Sequence, residues 1–218
     1  PAMTGVLFHI KENGLNSVAT DGHRLVRIIT TGIKLPKTSA EFLIRAKTLN
    51  LAMKSIEEPV KIGFDSKNVK FEFGSGTLYS KLIDEQYPNY EAVIPLDYTK
   101  KLSIDRAALL SSVKRVALYS SSNTHQVRFT FSNNTMTVSA QDFDMGGEAK
   151  EELPCEYQGD EMEIGFNANY IIDVLSHLES DNVLIEFDTS IKATIFREFE
   201  KKENEDILMI VMPVRLNV

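Results

Sequence analysis

The sequence predicts an α+β fold built from tandem copies of one domain, and three observations predict it. A strand-turn-strand unit recurs at an offset of about 121 residues, and an amphipathic helix recurs at about 122. After each helix comes a short polar turn and then an alternating strand. Such a period is the size of a whole domain, far longer than a solenoid repeat.

The strand unit comes first. Val6-Leu7-Phe8-His9-Ile10 falls on Val127-Arg128-Phe129-Thr130-Phe131, both with strand-like alternation. Glu12-Asn13-Gly14 falls on Asn133-Asn134-Thr135, a hairpin turn in each copy, with Leu15 over Met136 and Ala19 over Ala140. Next comes the helix. Leu49, Ala52, Met53 and Ile56 fall on Ile171, Val174, Leu175 and Leu178, both sets spaced i, i+3, i+4, i+7, so each set is expected on one apolar helix face. The strands that follow are 60–64 and 183–187, and the domain boundary is expected near Pro95 to Lys101, giving domains 1–96 and 97–218. The second copy opens with Asp105 as a candidate N-cap and a helix to about Tyr119, striped by Leu109, Val113 and Val116. The first copy has no equivalent, so the chain is expected to be cut from a longer protein and to lack at least that opening helix.

Two domains of ordinary size fit 218 residues. The longest apolar stretches are strand-length, such as 207–214, and no basic-then-apolar leader is present, so a soluble, cytoplasmic protein with no membrane role is expected. Cys155 has no thiol partner and no Cys/His pair at ligand spacing, which excludes a disulfide framework and a structural zinc site. A net charge of −7 argues against broad, salt-sensitive adhesion to nucleic acid, though an acidic exterior can coexist with a basic inner face.

Candidate chemistry is sparse. Asp21 and His23 in Thr-Asp-Gly-His-Arg are the one carboxylate and imidazole close enough for acid–base work or a metal site. With no third ligand and no nucleophile elbow, a turn whose polar groups satisfy the backbone is the stronger reading. No phosphate-binding loop exists: Gly74-Ser75-Gly76 has no following helix, and no cofactor is expected. Glu148, Glu151 and Glu152 have no EF-hand register and read as a solvated face. Arg45, Lys47 and Lys54 accompany the first helix, and Arg106, Lys114 and Arg115 the helix opening the second copy. They read either as a solubilising surface or as the lining of a concave one. The stretch 210–216 reads either as a last core strand or as a strand edge bordering an apolar pocket, which Pro213 favours by interrupting the ladder.

Four separated motifs, Val-Ala-Thr-Asp-Gly-His-Arg-Leu (18–25), Tyr-Pro-Asn-Tyr (87–90), Met-Glu-Ile-Gly-Phe-Asn (162–167) and Val-Met-Pro-Val-Arg-Leu (211–216), make the chain resemble the bacterial DNA sliding clamps, the beta subunits of replicative DNA polymerase. The resemblance covers nearly the whole chain. It implies most of a middle domain and all of a C-terminal one, each a DNA-clamp domain with helices on one face of antiparallel sheets. It also implies a non-enzymatic processivity factor that closes as a homodimer ring on duplex DNA without reading sequence. Its implied partners are the polymerase catalytic subunit, the clamp loader and other proteins that insert a linear motif bearing a Gln and bulky apolar side chains.

Carried over by position, Thr20, Gly22, His23, Arg24 and Leu25 supply one wall of the peptide groove, with Met3, Pro88 and Val93 beside them. Asn167, Tyr170, Ile191 and the terminal Ile210, Val211, Met212, Pro213, Val214, Arg215 and Leu216 supply the other. Arg45, Lys47, Lys54, Arg106, Lys114 and Arg115 are implied to face DNA, and Leu118-Tyr119 to meet the next subunit. The chain departs from better-known members at Ala92, a basic position in some relatives, at Thr124, an aromatic one, and in the extra Asn217-Val218. Two rival readings are a hydrolase or metal enzyme using Asp21 and His23, and a peptide-binding module unrelated to replication, which leaves the basic helix residues without purpose.

Overall fold

The computed structural model describes residues 1–55, 60–74 and 76–216. Contacts divide the chain into two units, Pro1–Asp21, Val26–Glu91 and Glu203–Asp206 in the first, and Gly22–Leu25, Ala92–Lys202 and Ile207–Val218 in the second. The division falls between Glu91 and Ala92, a few residues before the boundary read from the sequence, and two short segments change sides.

In the first unit β1 (Gly5–Lys11), β2 (Gly14–Thr20), β3 (Arg24–Thr30) and β4 (Ala40–Arg45) form a sheet in the order β3-β2-β1-β4. Then come α1 (Ala46–Ser55) and an antiparallel sheet of β5 (Lys61–Phe64), β6 (Asn68–Phe73) and β7 (Gly76–Lys81), in the order β5-β6-β7. Because strand side chains alternate, Val6, Phe8 and Ile10 share a face with their partners Ile44, Phe42 and Ala40. That face meets Ala52, Val69 and Phe71 in the core, where Phe42 stacks on Phe64 at 4.1 Å and on Phe8 at 5.5 Å between ring centroids. Gly74 follows β6 and Gly76 opens β7; Ser75 lies outside the described residues.

The second unit opens with β8 (Lys100–Asp105) running into α2 (Arg106–Val116). Asp105 caps the helix as expected, accepting from Ala108 N at 2.7 Å, a contribution of about 1 kcal/mol. Leu109, Val113 and Val116 are buried, and a 3-10 turn carries the helix on to Tyr119. There follow β9 (Gln126–Ser132), β10 (Thr135–Asp142), β11 (Gly147–Pro154), β12 (Glu156–Tyr157), β13 (Met162–Asn167) and α3 (Ala168–His177). Last come β14 (Asn182–Phe187), β15 (Thr194–Glu198) and β16 (Glu205–Val211). One antiparallel sheet runs β11-β10-β9-β13, and a second series of antiparallel pairs runs β12-β8-β14-β15-β16. Their shared core is aromatic: Phe131 stacks on Phe187 at 4.7 Å, and Phe129 lies 5.2 Å from Phe166. Pairs of this kind add about 0.5–1.5 kcal/mol each beyond the area they bury.

The duplication holds at the level of topology. The series β1-β2-β3-β4-α1-β5-β6-β7 matches β9-β10-β11-β13-α3-β14-β15-β16 in order and in sheet position. Hairpin register matches as well, Lys11 opposite Gly14 in one copy and Ser132 opposite Thr135 in the other. The turns reach it differently. Asn133 and Asn134 both adopt positive φ, 43° and 62°, whereas the first copy places its positive φ on Gly14, whose missing Cβ would stand 2.5 Å from Thr30 O.

One expectation about packing is corrected. Leu49 and Ala52 turn inward, but Met53 is 74% exposed, while its counterpart Leu175 is fully buried. The cause is α2, which packs along α3, whereas among the described residues no helix lies beside α1 in this way. The same absence leaves Leu15, Ser17 and Ala19 half-buried where Met136, Val138 and Ala140 are buried. Ile56, the fourth residue of the predicted stripe, lies outside the described residues.

Candidate functional site

The end of the chain is where the second unit departs from regular structure. β16 buries Leu208, Met209, Ile210 and Val211 and then leaves its ladder at Met212. Met212 N donates to His23 O at 2.8 Å, and Val214 N donates to Gly165 O at 2.8 Å. Pro213, which has no N–H, lies between these two donors and so removes neither bond. Gly165 permits the approach: a Cβ there would meet Val214 O at 2.7 Å and Leu216 Cδ2 at 2.8 Å. The stretch is thus a core strand to Val211 and then an edge laid over β13.

Beside it stands α3. Asn167 caps the helix, accepting from Asn169 N at 2.9 Å, and its amide donates to Thr124 O at 3.4 Å. Ile171, Val174 and Leu175 face the core, which leaves Tyr170 half-buried and Asp173 exposed on the next turn. The His23 ring is 6.2 Å from that of Tyr170, and the Arg24 guanidinium lies 4.8 Å over the Tyr170 ring centre. Arg24 also pairs with Asp173, and His177 Nδ1 is 3.5 Å from the same carboxylate. Chemically this is a rim of one aromatic face, a neutralised guanidinium and an exposed thioether, Met212 being 40% accessible.

The wall residues carried over from the resemblance divide between the units. Met3, Thr20 and Pro88 belong to the first, Met3 and Pro88 being exposed. Gly22, His23, Arg24, Leu25, Val93, Asn167, Tyr170, Ile191 and 210–216 belong to the second. Within it Leu25, Ile210 and Val211 are buried supports, while Val93 and Ile191 are open to solvent. Asp173 and His177 were not singled out in the sequence. Nothing in their spacing marks them, since Arg24 and Asp173 are separated by 149 positions. Asn217-Val218 lie outside the described residues.

The basic residues differ in their engagements. Arg45, Lys47, Lys54 and Lys114 are exposed. Arg106 donates to Ser180 O at 2.8 Å and to Leu175 O at 3.1 Å, tying off the end of α3. Arg115 grips Glu151 with two bonds of 2.7 and 2.6 Å and holds that carboxyl below the usual range. Leu118 is 82% and Tyr119 48% exposed. The β10–β11 loop adds exposed Phe143 and Met145, whose spacing carries no motif. Among the described residues no group of three His, Cys, Asp or Glu could hold a metal ion, and no helix is long and apolar enough to cross a membrane.

Comparison with known proteins agrees along the whole chain. The family described as DNA polymerase III beta subunit, central domain, matches residues 1–89, and the one described as DNA polymerase III beta subunit, C-terminal domain, matches residues 91–215. The beta sliding clamp of Escherichia coli K12 is 32% identical over 218 residues, covering 98% of this chain and 58% of its own length. That of Chlamydia muridarum is 30% identical, covering 99% and 58%. Among solved structures, a sliding clamp from Pseudomonas aeruginosa with ligand superposes with a TM-score of 0.91 at 30% identity, over 98% of this chain and 58% of that one. A Bartonella birtlesii clamp bound to griselimycin gives 0.89 at 28% identity, over 99% and 59%. The chain thus spans a little under three fifths of the relatives it matches.

Proposed function

The chain belongs to the DNA polymerase III beta-subunit family, and from that premise we propose that it is the peptide-binding part of a sliding clamp. In this reading the whole protein is a cytoplasmic, non-catalytic processivity factor. Two subunits close around duplex DNA, and replication and repair proteins, the polymerase catalytic subunit and clamp loader among them, dock a linear motif in the groove. The observation that carries the proposal is the end of the chain. A segment pinned at Met212 and Val214 presents an accessible Met212 whose N–H is held by His23 O, with the His23 ring 6.2 Å from that of Tyr170, and it does so within the second unit alone.

A closed ring needs little affinity for the duplex, because escape requires opening a subunit interface. Tethering makes each rebinding of polymerase an intramolecular event at high effective concentration, so processivity rises without new chemistry. The exposed Arg45, Lys47, Lys54 and Lys114 supply weak, sequence-blind attraction, while Arg115, paired with Glu151, supplies less. Leu118 and Tyr119 fit the subunit contact. The direct test is calorimetric titration with a peptide carrying a Gln and bulky apolar residues. Met212→Ala is expected to weaken binding by about 1–3 kcal/mol, as truncating an apolar anchor does. A wild-type chain that takes up no such peptide would overturn the assignment.

A further inference from the structure

We propose that Asp173 is a positioning residue of the peptide groove, holding Arg24 over the Tyr170 ring so that the ring keeps one orientation. The proposal rests on reading the Met212 and Tyr170 surface as that groove. Tyr170 and Asp173 are three residues apart on α3, hence neighbours on one face. Arg24 bridges them, its guanidinium 4.8 Å from the Tyr170 ring centre and paired with the Asp173 carboxylate.

A half-exposed tyrosine has open rotamers, and a long arginine side chain has more; a carboxylate one turn along the helix restricts both at once. Arg24 follows His23, whose carbonyl holds Met212 N and whose own ring lies 6.2 Å from Tyr170. Asp173 thus acts at one remove on the two surfaces a peptide would touch. His177 flanks the carboxylate, its Nδ1 2.8 Å from Asp173 O and 3.5 Å from Oδ1, and so helps fix the carboxylate's position. The pair is partly exposed, 35% for Arg24 and 48% for Asp173, so little of the global stability depends on it. Its effect belongs in recognition rather than in folding.

The test uses the whole chain and the same motif peptide. Asp173→Asn should weaken binding by about threefold to tenfold, within what an exposed ion pair and a cation–π contact can supply together, with an unchanged unfolding midpoint. Asp173→Glu should recover part of the loss. In an Arg24→Met background Asp173→Asn should cost nothing further, and in the free protein it should shift and broaden the Tyr170 ring resonances. An equal loss with and without Arg24, or ring signals that do not respond, would overturn the positioning role. If the wild type binds and Asp173→Asn is indifferent, this proposal alone fails; if the wild type binds no peptide, the groove reading fails and takes the proposal with it.

Discussion

Adding one methyl group at Gly165 should open the groove without unfolding the domain beneath it. An alanine Cβ at that position would stand 2.7 Å from Val214 O and 2.8 Å from Leu216 Cδ2. The leucine tip can rotate away, but the carbonyl oxygen is backbone and cannot. Two responses are open. Keeping Val214 in place means absorbing the clash in the sheet, at about 1–3 kcal/mol for overpacking. Releasing it breaks the 2.8 Å bond from Val214 N to Gly165 O, a net loss of about 0.5–1.5 kcal/mol. The second route is cheaper, because the segment lies at the edge and water can replace the lost partner. Gly165→Ala should therefore lift the segment beyond Met212 and weaken a motif peptide by about 1 kcal/mol, roughly fivefold. Amide hydrogen exchange checks the route: Val214 should lose protection while Phe129 and Phe166, in the core behind, keep theirs. Adding Leu216→Ala should not restore affinity, since the contact with Val214 O remains. Undiminished affinity together with a protected Val214 amide would refute the reasoning.

Four further outcomes are expected. Leu25 is 5% exposed, so Leu25→Ala should cost about 2–5 kcal/mol of stability, whereas Met212→Ala should leave stability unchanged and act on peptide affinity alone; denaturation and titration of both variants separate the two effects. The Arg115 guanidinium depresses the Glu151 carboxyl, so their pairing stabilises above the ordinary value of 4.5 and is lost as pH falls through the lower folded value. Arg115→Ala should consequently lower the urea midpoint at neutral pH and not in strong acid. Burial raises the Cys155 thiol from 9.0 to about 11, so at pH 8 it should react with an alkylating reagent about a hundredfold more slowly than the unfolded chain, as a thiol assay would show. Fluorescence anisotropy with a short duplex should give a dissociation constant no tighter than about 10⁻⁴ M near physiological salt, weakening steeply as salt rises; tight, salt-resistant binding would contradict retention by encirclement.

What could be read in advance was whatever depends on neighbours in the chain. Asp105 caps because its side chain reaches Ala108 N three residues on, and the two hairpins share a register because two-residue turns set it. The order of strands and helices followed from the repeat for the same reason. Met53 could not be placed correctly, because burial at that position depends on a second helix beside it and not on its own spacing. Nor could the destinations of Arg106 and Arg115 be foreseen, one spent on helix-end carbonyls and the other on a glutamate across the fold. At the site, the terminal strand and the His23 turn were visible as motifs. The Arg24 and Asp173 contact was invisible, since only the tertiary fold joins positions so far apart.

The bare side of α1 has a thermodynamic consequence. Two copies of one topology, one with Leu175 fully buried and the other with Met53 in water, are not expected to share a melting temperature. Less apolar surface is withdrawn from water in the first copy, so its transition is expected to come first on heating, and the midpoints named above are those of the second copy's transition. A far-ultraviolet signal blends both transitions and would dilute any change made at Gly165 or Leu25. The stability of the groove is properly read from a probe inside the second copy, such as a tyrosine there, after the first has already melted.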